Sequence, residues 1–273
     1  MINVISLGAG VQSTCMVMMA KDGVLPMPDC AIFADTGNEP LHVYTHLENL
    51  KKILPFPIYI VKAFFKDSHE DIYEHTMQAI QGKTSRYSGP PAYMKKGFIR
   101  RQCTNDFKIQ PIRRKLRELL GLKPRQRGGK EIRIRQWIGI STDEFNRMKE
   151  SRDAYIKNVF PLMELKMSRQ DCLDWMKDNG YPLPKKSACI FCPYHDNKTW
   201  KDMKENQPED FALAVQVDED LRNAESLKYP FDENLYLHRS LKPLKDVDFN
   251  AKNKKDKKFN DDMDEECEGM CGV

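Results

Sequence analysis

Residues 2–15 read INVISLGAGVQSTC, a short apolar run followed by small residues and then by a helical pattern. Residues 2–7 are apolar and rich in branched side chains, which predicts a buried strand. The Gly-Ala-Gly sequence of 8–10 permits a sharp turn, because no large side chain blocks positive φ or close approach. From Val11 onward, apolar residues recur at helical spacing. When a strand is followed by a turn of small residues and then by a helix, the backbone N–H groups at the helix start can bind an anion. The same succession of elements also occurs in ordinary tight turns of α/β proteins.

Further apolar runs continue an alternation of strands and helices. Residues 30–34 end in Asp35-Thr36-Gly37, a helical pattern follows over 41–50, and residues 57–61 form the next strand candidate. This alternation predicts an α/β fold with a Rossmann-like parallel sheet and helices on both faces. Ligands of such sheets bind at the carboxyl ends of strands, so Asp35 is a candidate nucleotide contact, with a helix cap as its alternative role.

The middle of the chain contains a loop, a helix and a strand. Residues 81–97 are rich in Pro and Gly and predict a loop over the crevice. A helix is expected to end near residue 120, but its start is ambiguous between 104 and Pro111, because proline disrupts a helix interior and is tolerated in the first turn. Residues 132–140 predict a strand, and Ser168 is expected to cap a helix that stops at Asn179-Gly180.

Two more helices are expected near 198–205 and 209–222, before a highly charged end. We expect a nucleotide-binding domain over 1–195, a helical extension over 196–240 and a flexible charged tail over 241–273.

Composition limits the class of protein. The 273 residues are 40% hydrophobic and 31% charged, which is typical of a globular chain. No run approaches the roughly 18 apolar residues of a membrane span, and we expect a cytoplasmic protein without a membrane partner. The net charge of +4 is too small to indicate nucleic acid without a local patch. The basic residues 123–130 are interpreted as a solvated connection, with phosphate binding as the alternative.

The eight cysteines indicate thiols, metal ligands or redox groups rather than structural disulfides. Three lie within apolar patterns and are expected in the core: Cys15, Cys30 and Cys172. The other five lie in polar or turn-rich segments: Cys103, Cys189, Cys192, Cys267 and Cys271. The Cys-x-x-Cys spacing of 189 and 192 fits zinc and iron–sulfur chemistry equally well.

These motifs together resemble the phosphoadenosine phosphosulfate reductase family, within the larger group of PP-loop, adenine-nucleotide α-hydrolase-like proteins. Residues 8–13 correspond to the PP-loop Ser-Gly-Gly-x-Asp-Ser, with Gln12 in place of Asp, as in sulfonucleotide reductases. Asp35-Thr36-Gly37 is similar to the second nucleotide motif. Lys108 with Pro111 is similar to a Lys-x-x-Pro segment, and residues 139–147 to a later segment that ends in Arg.

The resemblance implies a reaction and a set of residues. Adenylyl sulfate or phosphoadenylyl sulfate would be reduced to sulfite and an adenosine nucleotide, with a thioredoxin-like dithiol as the reductant. The resemblance is also compatible with a homo-oligomer. Arg100, Arg101, Lys108 and Arg147 are candidates for balancing sulfate charge, with an ordinary surface cation as the alternative for each. Cys267 or Cys271 would attack sulfur. The implied nucleotide contacts are Ser6, Gly8, Gly10, Val11, Gln12, Ser13, Asp35, Thr36, Gly37 and Arg101.

The resemblance also implies a four-iron, four-sulfur cluster, with zinc as the alternative. Its ligands would be Cys103, Cys189, Cys192 and Cys271. Gln102 stands where cluster-containing members have a second adjacent Cys, so the fourth ligand would come from the C-terminal segment. The Glu266-Cys267 sequence is similar to the Glu-Cys-Gly segment of the family, except that Glu268 precedes Gly269.

Two other functions compete with this one. An ATP-dependent PP-loop sulfurtransferase would act on tRNA or DNA, with the basic residues 123–130 and the cluster Lys95, Lys96, Arg100 and Arg101 on the nucleic-acid backbone. Gln12 argues against ATP cleavage, whereas Asp143-Glu144 resembles the ATP-using branch. The third function is a non-catalytic nucleotide- or partner-binding protein that has kept the fold.

Overall fold

The computed structural model describes residues 1–65, 68–84, 86–99, 101–227 and 233–251. Its strands are β1 (Ile2–Ser6), β2 (Cys30–Asp35), β3 (Ile58–Lys62), β4 (Phe64–Phe65), β5 (Ser68–His69), β6 (Tyr93–Met94), β7 (Gly97–Phe98), β8 (Ile134–Ile138) and β9 (Ile156–Val159). Its α-helices are α1 (Val11–Lys21), α2 (Leu41–Ile53), α3 (Ile72–Ile80), α4 (Gln110–Leu119), α5 (Pro161–Glu164), α6 (Arg169–Asp178), α7 (Asn197–Asn206) and α8 (Pro208–Asn223). A π-helix spans Thr104–Ile109, and 3₁₀ helices span Thr142–Arg147 and Leu244–Asp246.

The central sheet has five parallel strands in the order β3-β2-β1-β8-β9. β1 pairs with β2 on one side and with β8 on the other, with Ser6 opposite Ile32 and Ile138. The chain therefore moves outward in both directions from β1, which creates a switch point at the carboxyl ends of the strands. The predicted Rossmann-like parallel sheet is confirmed.

Helices cover both faces of this sheet, as the sequence predicts. On one face, Ile5, Phe33 and Trp137 pack with residues of α1, α2 and α6. On the other face, Val4, Ile32 and Ile134 pack against Ile112 and Leu116 of α4. α4 lies over the β2–β3 side, so the β8–β9 side of this face is left for loops.

A second apolar core joins α7 and α8 to α3 and to residues 188–194. The carboxylate of Asp218, fully buried on α8, accepts hydrogen bonds from the backbone N–H groups of Leu237 and Leu244. Because these bonds and Phe249 fix residues that the sequence assigns to a charged tail, ordered chain continues beyond residue 241. The domain boundaries at 195 and 240 stay a prediction, and residues 252–273 of the expected tail lie outside the described residues.

Pro111 lies inside a helix, and the turns before it are π-helical. The N–H of Gln110 bonds to the carbonyl of Asn105, five residues back. A regular α-helix would bring the Pro111 ring against the carbonyl of Phe107, so a wider turn removes this clash. The helix therefore begins near 104 and continues through Pro111, which settles the ambiguous start.

Local signals predict α1, α2, α6, α7 and α8, whereas α3 and α5 were not predicted and the loop over 81–97 is more structured than expected. Ser168 forms a capping box with Asp171, and Gly180 follows α6 at a φ of +72°. Within 81–97, β6 begins a hairpin with β7, and Tyr93 also pairs with Tyr236 from the C-terminal part. No helix among the described residues is long and apolar enough to cross a membrane.

Gly37 and Gly23 provide a matched pair for testing how tightly α3 approaches the turn after β2. Both have positive φ, but a Cβ at Gly37 would lie 2.2 Å from Cβ of Asp71, whereas a Cβ at Gly23 would meet nothing within 4 Å. We expect Gly37→Ala to lower the free energy of unfolding by about 3 kcal/mol and Gly23→Ala by about 1 kcal/mol. Urea titration of both variants measures this difference, and equal losses would contradict the close approach.

Candidate functional site

The turn between β1 and α1 leaves the start of the helix without a side-chain cap. Ala9 has a φ of +58°, and Gly10 occupies the N-cap position with no side-chain hydrogen bond. The hydroxyl of Ser13 accepts the N–H of Gly8 at 3.2 Å, which holds the turn closed. With no acidic residue in its first turn, α1 directs an uncompensated positive end at this point.

The loop after β8 packs directly against this helix start. A Cβ on Gly139 would lie 3.0 Å from the backbone N of Ser13, which is tighter than an ordinary contact, so glycine at this position favours the close approach. The amide of Gln12 lies 3.4 Å from the hydroxyl of Ser141. The amide of Gln136 donates to the hydroxyl of Ser6 at 2.7 Å, which joins β8 to the end of β1. The structure therefore brings the predicted residues of 6–13 beside 136–141.

Asp35 organises the turn after β2 by accepting several hydrogen bonds. Its Oδ1 accepts the N–H of Gly37 at 2.8 Å and the hydroxyl of Tyr44 at 2.9 Å. Burial, and then the Asp35 carboxylate, raise the pKa of Tyr44, which stays protonated as a donor. Lys62 Nζ lies 3.6 Å from Oδ2 of the same carboxylate. The N-cap of α2 is Pro40, so the alternative role of Asp35 as a cap is not realised.

Three of the predicted metal ligands line one small space, which we call the thiol cavity. Its volume is about 20 Å³, enough for about one water. The loop that carries two of the thiols is anchored to the turn after β2, because Ile190 N–H donates to the carbonyl of Asn38 at 2.9 Å. The cavity is lined by Thr36, Ile72, Pro90, Pro91, Arg101, Cys103, Thr104, Lys108, Cys189, Cys192, Pro193 and Tyr194.

A buried carboxylate that the sequence did not single out lies beside these thiols. Glu39 Oε1 accepts the Thr36 hydroxyl at 3.2 Å, and Lys108 Nζ lies 3.8 Å from the same oxygen. Cys189 Sγ is 3.1 Å from the Thr36 hydroxyl and 3.8 Å from Glu39 Oε1. Glu39 lies in an Asn-Glu-Pro sequence that reads as an ordinary turn, so the only available signal was its position after a strand end.

A larger space, the cationic cavity, lies next to the thiol cavity. It encloses about 420 Å³ between the π-helix and residues 149–153, over the β8–β9 side of the sheet that α4 leaves uncovered. Arg101 and Thr104 line both cavities. Four cations and two carboxylates line it, so its charge is net positive: Arg101, Arg113, Lys149 and Arg152 against Glu150 and Asp153. Of these six charged residues, the sequence analysis named only Arg101 as a candidate site residue.

Arg147 is placed differently from Lys108, the other predicted catalytic residue in the described part of the chain. It lies in the 3₁₀ helix after β8, where Nη1 is 2.5 Å from Oε1 of Glu144. Glu144 is only 2% exposed, so this is a buried ion pair. Neither cavity is lined by Arg147, whereas Lys108 lines the thiol cavity.

The remaining predicted residues divide into core thiols and residues that cannot be placed. Cys15, Cys30 and Cys172 are buried in the sheet–helix cores, as predicted, and burial raises the pKa of Cys30 to about 11. Cys267, Cys271 and Arg100 lie outside the described residues. Within the described part of the chain, no three His, Cys, Asp or Glu side chains are arranged to hold a metal ion. The thiol cavity nevertheless offers three soft sulfur donors, whose chemistry suits iron–sulfur clusters or zinc.

Replacing Arg147 tests whether its main role is to neutralise Glu144. We expect Arg147→Met to lower the free energy of unfolding by about 3 kcal/mol, because a buried carboxylate loses its partner. The double variant Glu144→Gln/Arg147→Met should recover most of this loss. Chemical denaturation of the wild-type protein, the single variant and the double variant measures these free energies of unfolding. A single variant as stable as the wild type would exclude a structural role for Arg147.

Sequence comparisons give no match, whereas structural comparison finds a distant similarity. No family model matches the sequence, and no curated protein matches it. The fold is similar to that of a phosphoadenylyl-sulfate (PAPS) reductase from Candida auris, whose crystal structure is a phosphate complex. The two chains are 13% identical with a TM-score of 0.45, and the match covers 68% of this chain and 80% of that chain. A likeness at this level assigns neither a family nor an activity.

Proposed function

We propose that the protein reduces a sulfonucleotide, adenylyl sulfate or phosphoadenylyl sulfate, to sulfite and an adenosine nucleotide. The observation that carries this proposal is the shared wall of the two cavities. Arg101 and Thr104 border both the cationic cavity, which suits an anionic nucleotide, and the cavity lined by Cys103, Cys189 and Cys192. A cavity with surplus positive charge and a group of thiols are therefore adjacent, and the thiols lie beside Thr36, which directly follows the carboxyl end of β2.

The substrate would be held by its negative charges. The uncapped start of α1 offers backbone N–H groups, and the cationic cavity offers Arg101, Lys149 and Arg152. Lys108 would contribute positive charge on the thiol side, held in place by Glu39. Neutralising the sulfate oxygens in this way makes the sulfur a better electrophile.

The reaction would proceed by thiol attack. A thiolate of Cys267 or Cys271 attacks the sulfate sulfur, an S–S bond forms, the S–O bond to the nucleotide breaks, and the adenosine nucleotide leaves. A thioredoxin-like dithiol then attacks the cysteine sulfur of this S-sulfo intermediate and displaces sulfite. The second thiol of the reductant closes a disulfide and releases the cysteine. The dithiol loses two electrons and the sulfur gains two.

Three thiols of the thiol cavity, Cys103, Cys189 and Cys192, would hold a four-iron, four-sulfur cluster, with zinc as the alternative. Cys271 would be the fourth ligand, in which case Cys267 is the nucleophile. When bound, the group supplies positive charge that lowers the pKa of nearby thiols. The chain's own residues would then position the substrate, with Lys108 and Arg101 between the thiols and the anion.

A single assay tests the reaction. Purified full-length protein, prepared anaerobically, is incubated with adenylyl sulfate or phosphoadenylyl sulfate and a reduced dithiol protein, and sulfite is measured. We expect Cys267→Ser or Cys271→Ser to lower sulfite release by at least about 1,000-fold, because the nucleophile is lost. Met270→Leu, a change in the same segment, serves as the control. Without reductant, the wild-type protein should carry one sulfo group on the active cysteine, detected by mass spectrometry.

Failure in this assay points to a defined alternative. If the protein releases no sulfite but cleaves ATP, and tRNA or DNA stimulates the cleavage, the sulfur-insertion function replaces the proposed one. One observation favours that second candidate, namely the concentration of positive charge over residues 113–130.

The ligand assignment has its own test. Anaerobically purified protein should show an absorbance band at about 400 nm, which is typical of iron–sulfur charge transfer. Cys192→Ser should remove the band, whereas Cys30→Ser should retain it, because Cys30 lies in the sheet core. If zinc is bound and the band is absent, the group held by these thiols is zinc rather than an iron–sulfur cluster. If the wild-type protein contains neither iron nor zinc, a metal centre is excluded.

A further inference from the structure

Positive charge is concentrated in one segment of the chain. Residues 113–130 contain eight Lys or Arg and a single acidic residue, Glu118, which gives this segment a net charge of +7. The whole chain has a net charge of +4, so the remaining residues carry −3. The segment comprises most of α4 and the connection to β8, and we call it the cationic segment. Such a concentration of charge attracts a polyanion to this part of the molecule.

A groove on the β3 side of α4 adds aromatic rings to this charge. The aromatic groove encloses about 390 Å³ between the edge strand β3 and the helix. It is distinct from the cationic cavity, which lies on the other side of α4 and contains Arg113 rather than Arg114. The groove is lined by Tyr59, Ile60, Val61, Lys62, His69, Pro111, Arg114, Lys115 and Glu118.

Cations that line the groove contact aromatic rings, and one of these rings is Phe64, which does not line the groove but adjoins it through Arg114 and His69. Arg114 lies over the ring of Phe64 at 4.8 Å, and Lys115 lies over the ring of Tyr59 at 4.2 Å. His69 contacts Phe64 edge to face, with ring centroids 5.1 Å apart. Phe64 remains 39% exposed, so part of its ring faces solvent beside an exposed arginine. An aromatic ring next to cations is the arrangement on which nucleic-acid bases stack.

The connection after α4 presents its charges in a fixed conformation. Arg117 Nη2 donates to the carbonyls of Lys123 and Gln126 at 3.0 and 2.7 Å. Gly128 lies against the ring of Tyr155, where a Cβ would come within 2.1 Å of a ring carbon. Four cations on this connection are exposed and have no ion pair with a described carboxylate: Lys123, Arg125, Arg127 and Lys130. Fixing the backbone lowers the entropy that binding would otherwise cost.

We propose that the aromatic groove and the cationic segment together bind a single-stranded nucleic acid. Bases would stack on Phe64, while phosphates would contact Arg114, Lys62 and the four exposed cations after α4. Single strands expose base faces, whereas a duplex hides them within its stack, so a stacking platform favours the single strand. An acidic polypeptide would use the charges but not the exposed ring. The inference goes beyond the proposed reaction and does not depend on it.

Fluorescence anisotropy with labelled oligonucleotides tests this surface on the full-length protein. The probes are single-stranded RNA and single-stranded DNA of about 12 nucleotides, within the known range of site sizes, and a duplex of the same sequence. Phe64→Ala should weaken single-strand binding about 10-fold, because stacking is lost. Removing four charges by K123Q/R125Q/R127Q/K130Q should reduce the slope of log K against log salt concentration by about 3.

Matched variants separate local from general effects. Leu183→Ala removes another exposed apolar side chain, and K51Q/K52Q/K177Q/K185Q removes four exposed lysines elsewhere. Both controls should bind within about 2-fold of wild type, apart from a small uniform change from net charge. Circular dichroism of every variant confirms that the fold is retained.

Any of four binding results with the oligonucleotide probes would overturn the proposal: no binding by the wild-type protein, equal affinity for the duplex, an unchanged affinity in Phe64→Ala, or an equal loss in the control quadruple variant. The proposal would also be overturned if polyglutamate displaced the probe as effectively as unlabelled oligonucleotide does. The surface would then be a general polyanion site. A difference between RNA and DNA affinity would identify the preferred sugar. Sulfite release is measured separately, so a failure of either proposal leaves the other standing.

Discussion

Parallel pairing of β1 with both β2 and β8 is the constraint on which the candidate site depends. Parallel neighbours end at the same edge of a sheet, so the loops that follow these three strands must meet there. The meeting is close, because Gly139 approaches the first turn of α1 and Gln136 bonds to Ser6. The thiols are brought to this edge by a backbone bond from Ile190 to Asn38. Without the parallel register, none of these contacts could form.

The thiol cavity at this edge and the neighbouring cationic cavity differ in their charge. In the thiol cavity, Lys108 is paired with the buried Glu39, because an unpaired charge away from water would be expensive. The cationic cavity is larger and keeps a surplus of positive charge, which exposed cations such as Arg152 can carry at little cost. An anion is therefore attracted to the larger cavity rather than to the smaller one. Arg101 borders both, so an anion bound there would lie beside the thiols.

Local signals predicted most of the fold, because strands and helices here are set by short-range patterns. Ser168 and Gly180 mark the ends of α6 at the expected places, and the three apolar cysteines are buried as expected. Long-range contacts were not predictable in this way. The β6–β7 hairpin is joined by Tyr93 to Tyr236, which is remote in sequence, and Glu39 contacts Lys108 and Cys189, which are also remote from it in sequence.

Pro111 shows how a local conflict can position a site. In a regular helix, the proline ring would meet the carbonyl four residues back, so the preceding turns widen into a π-helix. Phe107 and Lys108 lie within this π-helix, and both are buried. Beyond the proline, α4 continues with Arg113 on one side and Arg114 on the other. One helix therefore begins at the thiol cavity, separates the cationic cavity from the aromatic groove, and ends at the cationic connection, so its register sets the spacing between all of these surfaces.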